Sequence, residues 1–244
     1  MKLGKRPAKH DPRNLKLCTY LAESIPSAPD KIDWTHGVTS FGMMKNDVLG
    51  CCTCAAIAHS WQIWSMNSSS ELTISDEQVV SLYETFCGYN PNDPNTDQGG
   101  IESDILKNWR ANGALGHKID AYASITPKNH PEVKQAINLF GVIYVGVALP
   151  NTAQNQPDIW DIVEVQDGSD EPGSWGGHAI ICVGYDETFV YFISWGRIMK
   201  MTWKFLDKYM DEAYAIISYD WLNKDGKTPE GLDITSLEND LKYV

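Results

Sequence analysis

The sequence predicts an α+β protein of two lobes, helices first and sheet second. Two observations carry this. From Cys52 to Gly113 the apolar residues recur at spacings of three and four, the period of a helix with one buried face. After residue 131 the period changes. Short runs rich in β-branched and aromatic residues follow, VIYVGVAL, HAIICVGY and FVYFISW, and these read as strands. A mainly helical lobe over 31–130 and a mainly antiparallel β-rich lobe over 131–244 would leave a cleft between them, a favoured place for a site. Residues 1–30 are polar, contain Pro7, Pro12, Pro26 and Pro29, and read as an extended arm lying on this body.

The elements follow in order. KIDWTHGVTSFGMMKNDVLG, residues 31–50, mixes turn residues with scattered large apolar ones and reads as an ordered loop. The first helix runs from Cys52 to about Met66, with Ala55, Ala56, His59, Ile63 and Trp64 on overlapping faces, until MNSSS breaks it. In ELTISDEQVVSLYETF, Ser75 and Gln78 stand three apart, the spacing of a capping box. GYNPNDPNTDQGG, residues 88–100, is a loop of a length usually tied to function. IESDILKNWRANGAL is a third helix, ended by Asn112-Gly113. A short helix from Pro131 to about Phe140 precedes the strands, and WKFLDKYMDEAYAIIS is a helix running into a last strand.

Bulk properties exclude several function classes. The formal net charge is −12, whereas a nucleic-acid surface needs clustered Lys and Arg. Positive charge does gather in MKLGKRPAKHDPRNLK, which reads as a solvated tail. No apolar stretch approaches the ~20 residues of a membrane span. The basic start lacks the apolar core of a secretion signal, which predicts a cytoplasmic protein, or a virion-associated one if phage-encoded. Six cysteines at irregular spacing then read as reduced thiols. Oligomeric state is not legible.

Three of those thiols crowd LGCCTCAAIAHS, residues 49–60. Cys52 stands at the start of the first helix, where unpaired N–H groups and the helix dipole favour a thiolate, the nucleophilic form of cysteine. A base is still needed. His178 opens the strand in GSWGGHAIICVGY, behind Gly176 and Gly177, which would let a substrate backbone come close. It follows Cys52 at nearly the spacing, roughly 130–150 residues, of one class of cysteine–histidine enzymes. Two other readings compete. Structural zinc needs two clean ligand pairs, and only one tight cluster exists. A thioredoxin-like pair at Cys51 and Cys54 needs a preceding strand, and the preceding segment is loop-like. Cys54 and Cys182 read as small core residues, and Cys51 as an exposed thiol.

From about residue 31 to 217 the chain resembles the papain-like cysteine peptidases, in particular a compact bacterial and phage branch without a long propeptide. The motifs occur in order. Ile32-Asp33-Trp34 resembles the start of the mature domain, LGCCTCAAIA the nucleophile helix, and LTISDEQVVSLYE the helix that follows. DQGG resembles the glycine pair of the cleft wall, GGHAIICVGYD the base strand, and ISWG the family's "NSWG". The resemblance implies a papain-like fold with a V-shaped cleft. It implies Cys52 as nucleophile, His178 as base and then acid, and Asn46 with the Cys52 N–H as oxyanion hole. Gly99, Gly100 and Gly177 would line a polypeptide path, and Trp195 would shield the pair. No metal and no organic cofactor is implied.

Two positions depart from the family. Asn46 stands where Gln is usual, one methylene shorter. Ile193 aligns with the asparagine that orients the histidine, and a hydrocarbon cannot hold a ring N–H. A one-residue shift would bring Ser194 into that place. These departures define the alternative reading, a papain-fold protein that no longer cleaves and serves a binding or structural role through a protein partner.

Overall fold

The computed structural model describes residues 1–21, 27–222 and 227–229. The portions of the expected arm and sheet lobe at 22–26, 223–226 and 230–244 lie outside the described residues. The architecture is α+β. In chain order the elements are β1 (Leu15–Lys16), β2 (Ile32–Asp33), α1 (Cys52–Ser68), α2 (Asp76–Cys87), α3 (Glu102–Asn112), β3 (Ile119–Ser124), α4 (His130–Phe140) and β4 (Ile143–Leu149). They continue with β5 (Ile159–Trp160), β6 (Gly176–Tyr185), β7 (Phe189–Ser194), β8 (Arg197–Thr202), α5 (Trp203–Tyr209) and β9 (Met210–Ser218). The described strands form one mixed sheet in the order β1-β3-β9-β4-β6-β7-β8-β5, with β2 on β6. Its central pairings are antiparallel, and β1–β3 and β5–β8 are parallel. β3 precedes residue 131, so the sheet draws on a segment expected in the helical lobe.

The first helix is the hub. Every residue of α1 from Cys52 to Trp64 is buried, so it is enclosed on all sides rather than amphipathic. It packs against β6 and α2. α2 begins with the expected reciprocal cap: Gln78 N–H donates to Ser75, and Ser75 N–H donates to the Gln78 side chain. At the far end of α4, three of the last carbonyls of the helix have indole partners. Trp34 donates to Ile137 O, Trp221 to Leu139 O and Trp64 to Phe140 O, at 3.0, 2.8 and 2.8 Å. Carbonyls in a last turn lack the usual partner within the helix, although Ile137 O also accepts the Gly141 N–H. Because Trp34, Trp64 and Trp221 come from three separate segments, the cap also ties those segments together. Gly141 ends α4 with φ +75°, and an added Cβ would lie 2.7 Å from the Trp221 ring.

Gly141→Ala therefore combines backbone strain with overpacking, and it is expected to cost roughly 1–3 kcal/mol in urea unfolding. Ser75→Ala, which removes only the cap of α2, is expected to cost about 1 kcal/mol. No loss on Gly141→Ala would refute the close packing of Trp221 on the end of α4.

Candidate active site

The start of α1 meets β6 at Cys52. The thiol is 1% exposed and accepts the Ala179 N–H at 3.4 Å, so it lies beside the residue after His178. His178 is 0% exposed. Its Nε2 lies 2.6 Å from Ser194 Oγ, while Nδ1 has no hydrogen-bond partner. Trp195 stacks on the imidazole, with ring centroids 4.4 Å apart and planes 16° from parallel.

The sheet register explains why Ser194, and not Ile193, reaches the histidine. Ile193 stands opposite Ile181 on β6. Side chains alternate along strands, and directly opposed residues share a face. Ile193 therefore faces away from His178, and Ser194 shares its face. The turn just beyond holds the tryptophan. Trp195 and Gly196, with φ +47° and +73°, join β7 to β8 as a two-residue hairpin loop. Positive φ at both positions is the geometry that matches strand twist in such loops. It is an unfavourable conformation for a bulky residue, and here it places the indole over the His178 imidazole.

The N-terminal arm runs through the site. Lys5 N–H donates to Gly177 O (3.1 Å), Arg6 N–H to Gly100 O (2.8 Å), and Gly100 N–H to Gly4 O (2.8 Å). The last two bonds make a parallel bridge between Lys5 and Gly100. The walls are glycine because backbone must touch backbone there: a Cβ on Gly99 would lie 1.9 Å from Gly4 O, and one on Gly177 2.3 Å from Lys5 O. Ahead of this, Lys2 pairs with Asp97. Asp97 Oδ1 also accepts the Tyr83 hydroxyl (2.7 Å) and the Gly50 N–H (2.9 Å), and Tyr83 in turn accepts the Gly99 N–H (2.7 Å). Asp97 thus fixes the loop before α1, the glycine wall and the arm together. The basic start is a solvated tail only in part: residues 2–6 lie across the site and Lys5 is buried, whereas residues 7–10, 12 and 13 are exposed.

This closure reverses the expected electrostatics of the pair. Burial pushes the Cys52 thiol up to about 12, although the Ala179, Gly4 and Thr53 N–H groups pull it down. Burial likewise pushes His178 down to about 3. The helix N-terminus does favour a thiolate at Cys52, but with water excluded by the arm the desolvation cost is larger. In the arm-seated state the pair is thiol and neutral imidazole.

The remaining residues fall as follows. Asn46 is buried in the loop before α1. Its Nδ2 donates to Leu49 O, and its carbonyl oxygen accepts the Lys2 N–H, both at 3.4 Å. Cys51, expected at the surface, is fully buried, and its thiol donates to Met44 O at 3.4 Å. Its side chain is taken into the core because the arm and the Met44 turn cover the start of α1. Cys54 and Cys182 are buried as expected. Sequence reasoning missed Lys5 and Asp97. Asp97 had a signal, since it belongs to DQGG, whereas Lys5 lay in a run whose composition points to solvent. Among the described residues no helix is long and apolar enough to cross a membrane, and no group of three or more His, Cys, Asp or Glu side chains is arranged to hold a metal.

Comparison with known proteins places this geometry. No family model matches the sequence, and no curated protein matches it. Solved structures do match. Xylellain, a cysteine protease from Xylella fastidiosa, superposes with a TM-score of 0.68 at 17% identity, over 88% of this chain and 95% of that one. The Carica candamarcensis cysteine protease CMS1MS2, solved with E-64, gives 0.55 at 14% identity over 80% and 100% of the two chains. Bromelain from Ananas comosus, also with E-64, gives 0.54 at 16% identity over 78% and 99%. The chain has the papain-like cysteine protease fold.

Proposed function

We propose that the chain is a thiol hydrolase that cleaves peptide or amide bonds through Cys52 and His178, and that its own arm keeps it latent. The observation that carries this is the oriented histidine. Nε2 is committed to Ser194, Trp195 fixes the ring plane, and Nδ1 is left without a partner, while the Cys52 thiol at its helix start meets the N–H of the next strand residue, Ala179. A hydroxyl can accept from Nε2–H as an amide oxygen does, so Ser194 supplies what Ile193 cannot.

With the arm displaced, water and substrate enter and the desolvation cost falls. The Cys52 proton then passes to His178 Nδ1, and the thiolate attacks the substrate carbonyl carbon. The Cys52 backbone N–H and Asn46 Nδ2 receive the oxyanion, Asn46 turning from Leu49 O to do so. His178 gives its proton to the leaving amine. It next takes one from water as that water opens the thioester, which frees the acid and restores the thiol. The substrate would be a polypeptide, laid along Gly99, Gly100 and Gly177 where the arm now lies. A non-catalytic role as a binding protein is the second reading, favoured by the neutral, covered pair.

Two experiments separate them. In the native chain, iodoacetamide should label exposed Cys18 well before Cys52, with Cys52 labelling rising only toward pH of about 12. In chains whose arm is displaced, Cys52 should become the fastest-labelled thiol at neutral pH and should react with an epoxysuccinyl probe. A Cys52 that stays as slow as Cys54 after displacement sinks the hydrolase reading. For turnover of a peptide library by the displaced chain, Cys52→Ala should abolish cleavage, and Cys54→Ala should lower mainly stability. Ser194→Ala should lower kcat by roughly 10²-fold with little change in KM. An unchanged kcat would show that Ser194 does not orient the base.

A further inference from the structure

The Lys5 side chain does not end in solvent. Its Nζ lies 2.7 Å from Asp211 Oδ2, 2.9 Å from Glu212 Oε1 and 3.3 Å from Arg6 O. Glu102, from the start of α3, is 0% exposed, and neither of its carboxyl oxygens has a hydrogen-bond partner. Burial, together with Glu212 and Asp211, raises Glu102 well above the usual carboxylate range, while Lys5 pulls it back. Burial alone would lower Lys5, but Glu102, Glu212 and Asp211 outweigh it and hold the ammonium above its ordinary value.

The fold builds this pocket for a long cationic side chain. β4 and β9 slip register after Gly146: Gly146 stands opposite Glu212, but Val147 stands opposite Met210. Asp211 is the extra residue of that bulge. In a regular strand Asp211 and Glu212 would face opposite sides. At a bulge two neighbours turn toward one partner, and both carboxylates meet the same ammonium. Gly146 makes room for the stem, since a Cβ there would lie 2.0 Å from Lys5 Cε. The Tyr214 hydroxyl donates to Glu212 Oε2 at 2.8 Å and fixes that carboxylate. The residue before Lys5, Gly4, lies close enough to Cys52 for its N–H to lower the thiol's pKa, and its carbonyl accepts the Gly100 N–H. The pocket therefore takes the side chain of the residue next to the one seated at the nucleophile.

The geometry points to a specificity pocket: Glu102, Asp211 and Glu212 select a lysine or arginine side chain beside the scissile position of the substrate, and Lys5 of the arm is its resident competitor. This rests on reading the cleft at Cys52 as a substrate cleft. It adds the substrate class, namely peptides with a basic residue one place from the residue at the thiol. It also gives the arm a release rule, because a basic substrate and Lys5 compete for one seat.

The test uses the full chain and reads protection of Cys52 from iodoacetamide, which needs no turnover. Lys5→Met keeps the stem and removes the charge, and it should speed Cys52 alkylation at least tenfold. Lys5→Arg should stay near the native rate. Acetylated Gly-Xaa-Gly amides are then titrated against the Lys5→Met chain. Lysine and arginine peptides should protect at concentrations at least tenfold below the norleucine peptide, and the glutamate peptide should not protect. Adding Glu102→Gln and Glu212→Gln should erase the difference. The proposal is overturned if norleucine protects as well as lysine, if the preference survives both carboxylate substitutions, or if Lys5→Met leaves Cys52 as slow as in the native chain. A chain that shows the preference yet cleaves nothing keeps the pocket and refutes only the hydrolase reading.

Discussion

Water exclusion at one thiol and one imidazole governs this protein. The pairing of Lys5 and Arg6 with Gly177 and Gly100 is all backbone, yet it brings Cys52 and His178 out of solvent together. Neither group can then hold its charge at low cost. The features that would favour a thiolate, the helix start and the neighbouring N–H groups, are in place but outweighed. The same site is therefore consistent with two states. Covered, it is a neutral and inert pair. Hydrated, in the proposed function, it would have the donors and the base for nucleophilic chemistry. In the proposed function, passage between the two needs only the arm to move, not rearrangement of the core.

The arm is held at two ends by charge and in the middle by shape. Lys2 meets Asp97, which also organises Gly50 and Gly99 through Tyr83. Lys5 meets Asp211 and Glu212 in a pocket floored by Gly146. Between them, glycines on both walls allow backbone to lie on backbone. Under the proposed function, each device would hold a bound peptide as it holds the arm. The core beneath stays fixed, because α1 is enclosed on every side and the end of α4 is capped by Trp34, Trp64 and Trp221.

Much of this was legible in the sequence. The helix at Cys52, the capping box at Ser75 and the strands around His178 follow from local periodicity, and the structure has them. What was not legible depends on register and on long-range contact. Ile193 looked like a missing orienter because alignment counts positions, whereas the β6–β7 register decides which of Ile193 and Ser194 faces the histidine. Cys51 was expected at the surface because the turn at Met44 that receives its thiol lies in a loop with no periodicity to read. Lys5 was invisible for a related reason: a basic run beside two prolines is usually solvated, and its acidic partners lie in α3 and β9. Asp211 and Glu212 carry no sequence signal of their own; a bulge and a glycine bring them to one ammonium, with Glu102 buried nearby.

The central claim is that the arm, through desolvation, sets the protonation of the pair. Nitrogen-15 NMR of histidine-labelled chain tests it most directly by following His178 across pH, natively and with Lys5→Met. The account predicts a native ring that stays neutral between about pH 5 and 8, and a ring protonated on both nitrogens at neutral pH once the arm is displaced. A native His178 that titrates near its ordinary value, or a ring that stays neutral in both chains, would contradict it.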